Sequence, residues 1–211
     1  MGASSGEAVV LLHGSWMNGW VMSYLAFALR GEGFAPQALT YRTMRDTLED
    51  HLGRLARRIA ELTAPRVHLV GHSLGGVIVL RYLQRRPDER IRRAVLLGTP
   101  VSGCRAAMDL AQSTCGKFLL GKSLGIWREP ANASLDPRFE IGVIAGTRAF
   151  GIGSIVTRLP KPNDGVVCVD ETRLPGVRDH LALPLGHTVL LVSRRVARET
   201  AAFLKTGAFL K

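Results

Sequence analysis

The chain has 211 residues, 46% hydrophobic and 21% charged, and no stretch approaches the roughly 20 uninterrupted apolar residues that span a bilayer. This composition fits one packed domain over residues 1–211 and excludes a disordered, fibrous or membrane-spanning chain. With 28 Lys and Arg against 17 Asp and Glu the net charge is +11, which favours transient contact with anionic surfaces, a membrane surface included; without a basic helix or an aromatic-interleaved basic patch, no nucleic-acid partner is expected.

Residues Met1 to Glu7 are small and polar, without a basic region or a small-residue cleavage site, so a cytoplasmic protein is expected. Ala8 to Leu12 is a short apolar run stopped by His13-Gly14, the pattern of a strand buried on both faces. Trp20, Tyr24, Phe27 and Ala28 recur at helical spacing before Gly31 and Gly33, and Phe34 to Thr40 resumes as a strand. Leu48, Leu52, Leu55, Ile59 and Leu62 step by three and four with arginines between them, which predicts the clearest amphipathic helix. Pro65 closes it; Val67 to Val70 predicts a strand, Leu74 to Arg86 a helix ending before Pro87, and Ile91 to Leu97 a further strand. Gly103 to Arg128 breaks this rhythm and reads equally as a small cap or as a helical surface excursion. Glu140 to Ala145 predicts a strand, followed by a long loop from Gly146 to Asp164 carrying Gly151, Gly153, Pro160 and Pro162. Val177 to Leu183 predicts the last strand, and a closing helix carries Val189, Val192, Val196 and Phe203 on its apolar face. Strands alternating with amphipathic helices predict an α/β fold: a mainly parallel sheet, right-handed crossovers and helices on both faces.

Gly71-His72-Ser73-Leu74-Gly75-Gly76 lies between a predicted strand and a predicted helix, the setting in which a G-x-S-x-G turn presents a serine. Side chains at 71 or 75 would collide with the neighbouring strand and helix, and Ser73 must take a strained conformation. A serine hydroxyl needs an imidazole to take its proton and a carboxylate to orient that imidazole. In the chain order Ser, acid, His, the candidate base is His187, after Leu183-Pro184-Leu185-Gly186; His180 is its rival but falls inside a predicted strand. Asp164, in Asn163-Asp164-Gly165, is the candidate acid, with Asp170, Glu171, Asp179 and Asp136 as rivals. His13-Gly14-Ser15 ends the first strand, so the backbone N–H groups of Ser15 and Leu74 are candidates to hold an oxyanion, with His13 structural. Trp16, Trp20, Phe118 and Trp127 are candidates to line an acyl pocket, the alternative being ordinary core. Cys104, Cys115 and Cys168 lack a C-x-x-C spacing, which argues against a metal site; incidental thiols and a Cys104–Cys115 bridge both stay open.

At His13-Gly14, Gly71-His72-Ser73-Leu74-Gly75, Asn163-Asp164-Gly165 and Gly186-His187 the chain resembles small bacterial α/β-hydrolases of the lipase and esterase group, from about Val9 to Leu204. The resemblance implies an α/β-hydrolase fold that cleaves esters or lipids through an acyl-enzyme, with no cofactor or metal. In true lipases similar to this chain an Asn-Asp-Gly turn bears the acid, which favours Asp164. The chain begins almost at the strand leading to the oxyanion loop, and so resembles a minimal form. No calcium-binding carboxylate pattern near His187 matches that of the larger bacterial lipases. An acyltransferase, a thioesterase or a perhydrolase would use the same residues, and a binding protein on a hydrolase scaffold is a further reading.

Overall fold

The computed structural model describes residues 6–85, 88–129, 131, 136–149 and 159–211. Six strands, β1 (Glu7–Leu12), β2 (Ala35–Leu39), β3 (Arg66–His72), β4 (Ile91–Leu97), β5 (Glu140–Gly146) and β6 (Asp179–Leu183), form one sheet in the order β2-β1-β3-β4-β5-β6. Every pairing is parallel. Among the described residues seven α-helices accompany it: α1 (Ser23–Gly31), α2 (Leu48–Ala60), α3 (Leu74–Arg85), α4 (Arg105–Leu110), α5 (Thr114–Leu120), α6 (Ser123–Arg128) and α7 (Arg194–Thr206).

The period-two alternation of the strands divides the interior into two layers. Val10 and Leu12 of β1, Leu69 of β3 and Leu96 of β4 pack with Leu52, Leu55 and Ile59 of α2 and Ile78 of α3. Val9 and Leu11, Val70, Val95 and Leu97 point the other way, onto Leu25 and Leu29 of α1 and Val196 and Phe203 of α7. Such strands must be apolar on both faces, which is why they read as uninterrupted Val and Leu runs. Pro36, which cannot donate to a ladder, sits in edge strand β2. Two helices start at side-chain caps: Thr47 and Asp50 form a reciprocal capping box on α2, and the Ser193 side chain caps α7.

The outward and inward faces of α1 are the reverse of the expected ones. Trp20 lies in a 3-10 turn (Gly19–Met22) ahead of α1, and Trp20 and Phe27 are 72% and 74% exposed. The buried set is Met22, Leu25 and Leu29, a second apolar stripe of slimmer side chains that lies against the sheet. Val189 and Val192 are likewise exposed: a 3-10 turn (Val189–Leu191) precedes α7, whose buried face is Val196, Ala197, Thr200, Phe203 and Leu204. The last strand begins at Asp179 rather than Val177. The expected helix end at Arg86-Pro87 and the loop glycines Gly151 and Gly153 lie outside the described residues.

Because β1 pairs with β2 on one side and β3 on the other, the chain reverses its direction of travel across the sheet between them. A crevice opens at the carboxyl ends of such strands, and ligands of open α/β sheets bind there. The junction is held by close backbone approach. A Cβ on Gly71 would stand 2.5 Å from the Cα of Gly76, and one on Gly75 would stand 2.6 Å from His13 O. These neighbours are backbone and cannot swing away. Gly71→Ala or Gly75→Ala is expected to cost about 1–3 kcal/mol, read as a lower denaturation midpoint, whereas Gly125→Ala, with open space around it, leaves the midpoint unchanged or raised.

Candidate active site

Ser73 follows β3 directly, with φ +52° and its N–H donated to Leu97 O at 2.9 Å. A left-handed serine costs about 1–2 kcal/mol, and the turn is kept by the start of α3, where Gly76 N–H and Val77 N–H donate to Ser73 O. Leu97 O and the N-terminal turn of α3 thus fix the residue from both sides. Its side chain lines a cavity shared with His187.

His187 lies in the loop after β6, and Asp164 in the turn before the 3-10 segment at 170–172. Their side chains meet: Nδ1 of His187 and Oδ2 of Asp164 are 2.7 Å apart, with Asp164 1% and His187 7% exposed. An ionised carboxylate only accepts, so Nδ1 carries the proton and Nε2 is left as the basic nitrogen. A second bond, His187 N–H to Asp164 O at 2.9 Å, ties the two loops at backbone level. The other carboxylate oxygen of Asp164 accepts Val166 N–H (3.0 Å) and Val167 N–H (2.7 Å). Asn163 holds the turn by accepting Gly165 N–H and donating to the carbonyls of Leu159 and Pro160. Among the described residues no hydrogen bond joins Ser73 Oγ to His187.

The rivals are engaged elsewhere. Asp170 pairs with the Arg105 guanidinium at 3.0 and 2.8 Å, Asp179 accepts Phe209 N–H and pairs with Lys211, and Asp136 pairs with Arg138. His180 Nε2 lies 2.9 Å from Thr172 Oγ1. His13 is buried and stacks on Tyr41 at 4.1 Å between ring centroids; its Nδ1–H donates to Gly14 O, and the Tyr41 hydroxyl donates to His13 O. The N–H groups of Ser15 and Leu74 make no hydrogen bond among the described residues; Leu74 follows Ser73 in the chain, and Ser15 lines the same cavity as Ser73. The next residue, Trp16, has φ +58° and donates its N–H to Thr43 Oγ1, which fixes the loop after β1.

The family model of the Alpha/beta hydrolase family matches residues 9–162, more than half of the chain. The chain belongs to the alpha/beta hydrolase family. Its fold is similar to that of the lipase BlEst2 of Bacillus licheniformis in mature form, at 19% identity over 96% of this chain and 92% of that one, with a TM-score of 0.74. It is also similar to a monoacylglycerol lipase of Paleococcus ferrophilus (17% identity, 99% and 97% covered, TM-score 0.67) and to the esterase EaEST of Exiguobacterium antarcticum (19%, 96% and 93%, TM-score 0.65). No curated protein matches the chain. Among the described residues no helix is long and apolar enough to cross a membrane.

In this alpha/beta hydrolase the cavity beside Ser73 and His187 measures about 490 Å³. Residues 104–127 supply much of its wall, including Ala107, Leu110, Leu120 and the buried Trp127, while Trp16 and Leu119 stand at its exposed rim. Trp16 Nε1 donates to Leu119 O at 3.0 Å, joining the loop after β1 to α5. Trp20 and Phe118 do not line it: they are 72% and 85% exposed, since their positions turn outward from the 3-10 turn and from α5.

Two contributors, His72 and Gly98, were not singled out by sequence, and Glu171, a rival for the acid, takes a different part. His72 is buried, its Nε2–H donates to His187 O at 3.1 Å, and its ring lies 4.6 Å from that of His187. Burial holds His72 well below the usual imidazole range, so it stays neutral beside its neighbour. A Cβ on Gly98 would stand 3.1 Å from both Asp164 Oδ2 and His187 Nδ1. Glu171, 2% exposed, accepts Arg105 N–H (2.6 Å) with one oxygen and Cys168 N–H (2.7 Å) with the other, clasping the start of α4 to the turn after Asp164. Cys168, Asp170 and Glu171 group their ligand atoms within 4.8 Å, but the carboxylates already serve this clasp.

The three cysteines are free thiols, Cys104 and Cys168 buried and Cys115 exposed. Burial pushes the Cys104 thiol up to about 12, with Glu171 and Asp164 adding to the rise, and burial pushes Cys168 to about 11. Iodoacetamide at pH 8 is therefore expected to alkylate Cys115 in folded protein and the other two only after denaturation, as mapped by mass spectrometry. Glu171→Ala leaves two N–H groups without an acceptor and is expected to cost about 2–4 kcal/mol in stability, with faster hydrogen exchange at Arg105 and Cys168.

Proposed function

We propose that this chain is a carboxylic ester hydrolase in which Ser73 is the nucleophile, His187 the base and Asp164 the residue that orients it. The observation that carries the reading is the buried 2.7 Å contact between Asp164 and His187 beside a serine held at φ +52°, facing one cavity. Nothing in a packed interior requires a strained serine next to an ordered imidazole; catalysis does.

Ser73 Oγ attacks the ester carbonyl carbon as its proton passes to His187 Nε2, and Asp164 stabilises the imidazolium that forms. The carbonyl π pair moves onto oxygen, where the N–H groups of Ser15 and Leu74 are proposed to hold it. Collapse breaks the ester C–O bond, and His187 returns the proton to the departing alkoxide. Water, deprotonated by His187, then attacks the acyl-enzyme and releases the acid, restoring Ser73. No metal or cofactor enters these steps. The apolar wall from 104–127 supports an acyl group of several carbons as the recognised part. In this reading residues 1–211 act as one domain, and 103–128 is its cap, with Trp127 and Trp16 against the acyl chain.

With p-nitrophenyl esters of graded length, the native chain is expected to hydrolyse medium acyl chains. Asp164→Asn is expected to lower kcat by about 10⁴-fold with KM little changed, and Ser73→Ala or His187→Ala to lower it at least as far. Undiminished turnover in Ser73→Ala would refute the assignment.

A further inference from the structure

The segment formed by the 3-10 turn and α1 is apolar on two faces. Met22, Leu25 and Leu29 lie against the sheet, while Trp20, Tyr24 and Phe27, spaced by four and three residues, point outward. Phe27 and Tyr24 line a surface depression of about 640 Å³ between α1 and α7, together with Arg30, Arg194 and Arg198. Among the described residues these three guanidinium groups have no ion-pair partner. The neighbouring acids are already used: Glu32 pairs with Lys205, and Glu199 with Arg195. Exposed aromatic rings beside unpaired guanidinium groups form a surface with unmet demand for both apolar contact and negative charge.

We propose that this face docks the protein on an anionic phospholipid surface, with Trp20, Tyr24 and Phe27 entering at headgroup level and Arg30, Arg194 and Arg198 on phosphates. Aromatic side chains suit the boundary between water and acyl chains, and arginines beside it pair with phosphate oxygens. A second copy fits poorly, since a two-fold contact would set these arginines against their own copies on a chain of net charge +11. An acidic peptide in the depression would satisfy the arginines but leave the adjoining apolar exposure in water. Trp20, 72% exposed in the turn ahead of α1, is not among the residues that line the depression. A lipid layer covers both the guanidinium groups and the exposed rings.

Docking does not depend on the hydrolase reading, so it is measured with Ser73→Ala protein, which cannot consume the lipid. In vesicle flotation, binding to phosphatidylcholine and phosphatidylglycerol in equal parts is expected to exceed binding to phosphatidylcholine alone by about tenfold or more. Trp20→Ser with Phe27→Ser, and Arg194→Ser with Arg198→Ser, are each expected to weaken it by about tenfold at an unchanged thermal midpoint. Arg57→Ser with Arg58→Ser, on α2 across the sheet, removes the same charge and is expected to leave binding unchanged. Absence of vesicle binding, or equal loss in the α2 and α7 arginine pairs, overturns the proposal. So does binding of polyglutamate in place of vesicles, which would assign the face to an acidic protein, or a solution dimer that Phe27→Ser dissociates, which would assign it to a second copy.

Discussion

The arrangement depends on how closely backbone approaches backbone where β3 turns into α3. No Cβ fits at Gly71 or Gly75, since each would run into main-chain atoms of the turn or of the loop after β1. That closeness lets α3 begin immediately after Ser73, places the orphan N–H of Leu74 beside the serine, and brings the loop bearing Ser15 alongside. A side chain there would lift the helix off the sheet and separate groups that come from distant parts of the sequence.

The second half of the site is assembled by three loops rather than by one element. Asp164 enters from the turn after the long loop, His187 from the loop after β6, and Gly98 from the end of β4. Asn163 spends both polar ends of its amide on holding the turn, and Asp164 spends one oxygen on two backbone N–H groups and the other on His187. The carboxylate is therefore fixed before it meets the imidazole, which lowers the ordering cost of the pair. The Glu171 clasp does the same for the apolar wall, anchoring α4 to the turn that carries Asp164. Orientation of His187 and shape of the cavity are thus set by neighbouring parts of one loop system.

Much of this was legible in the sequence because parallel strands and tight turns leave strong local marks. The Val and Leu runs gave β1, β3 and β4, the three-and-four spacing gave α2, and Gly71 to Gly76 located the serine turn. What was not legible depends on tertiary choice. Trp20, Tyr24 and Phe27 and the set Met22, Leu25 and Leu29 are both valid helical stripes, and only packing against the sheet decides which is buried. Val189 and Val192 failed likewise, because a 3-10 turn shifts the phase before α7. Nothing local marks the parts that Gly98 and His72 play, or marks Glu171 as a clasp rather than a rival acid: each matters through a residue some 65 or more positions away or through the far side of a loop.

The measurement that tests the account most directly is reaction of the folded protein with a fluorophosphonate, with the adduct mapped by mass spectrometry. The reagent reports an activated serine whatever the natural ester. The account predicts a single adduct on Ser73, lost in His187→Ala and strongly slowed in Asp164→Asn. An unlabelled Ser73 in folded protein, or labelling that persists without His187, would contradict it.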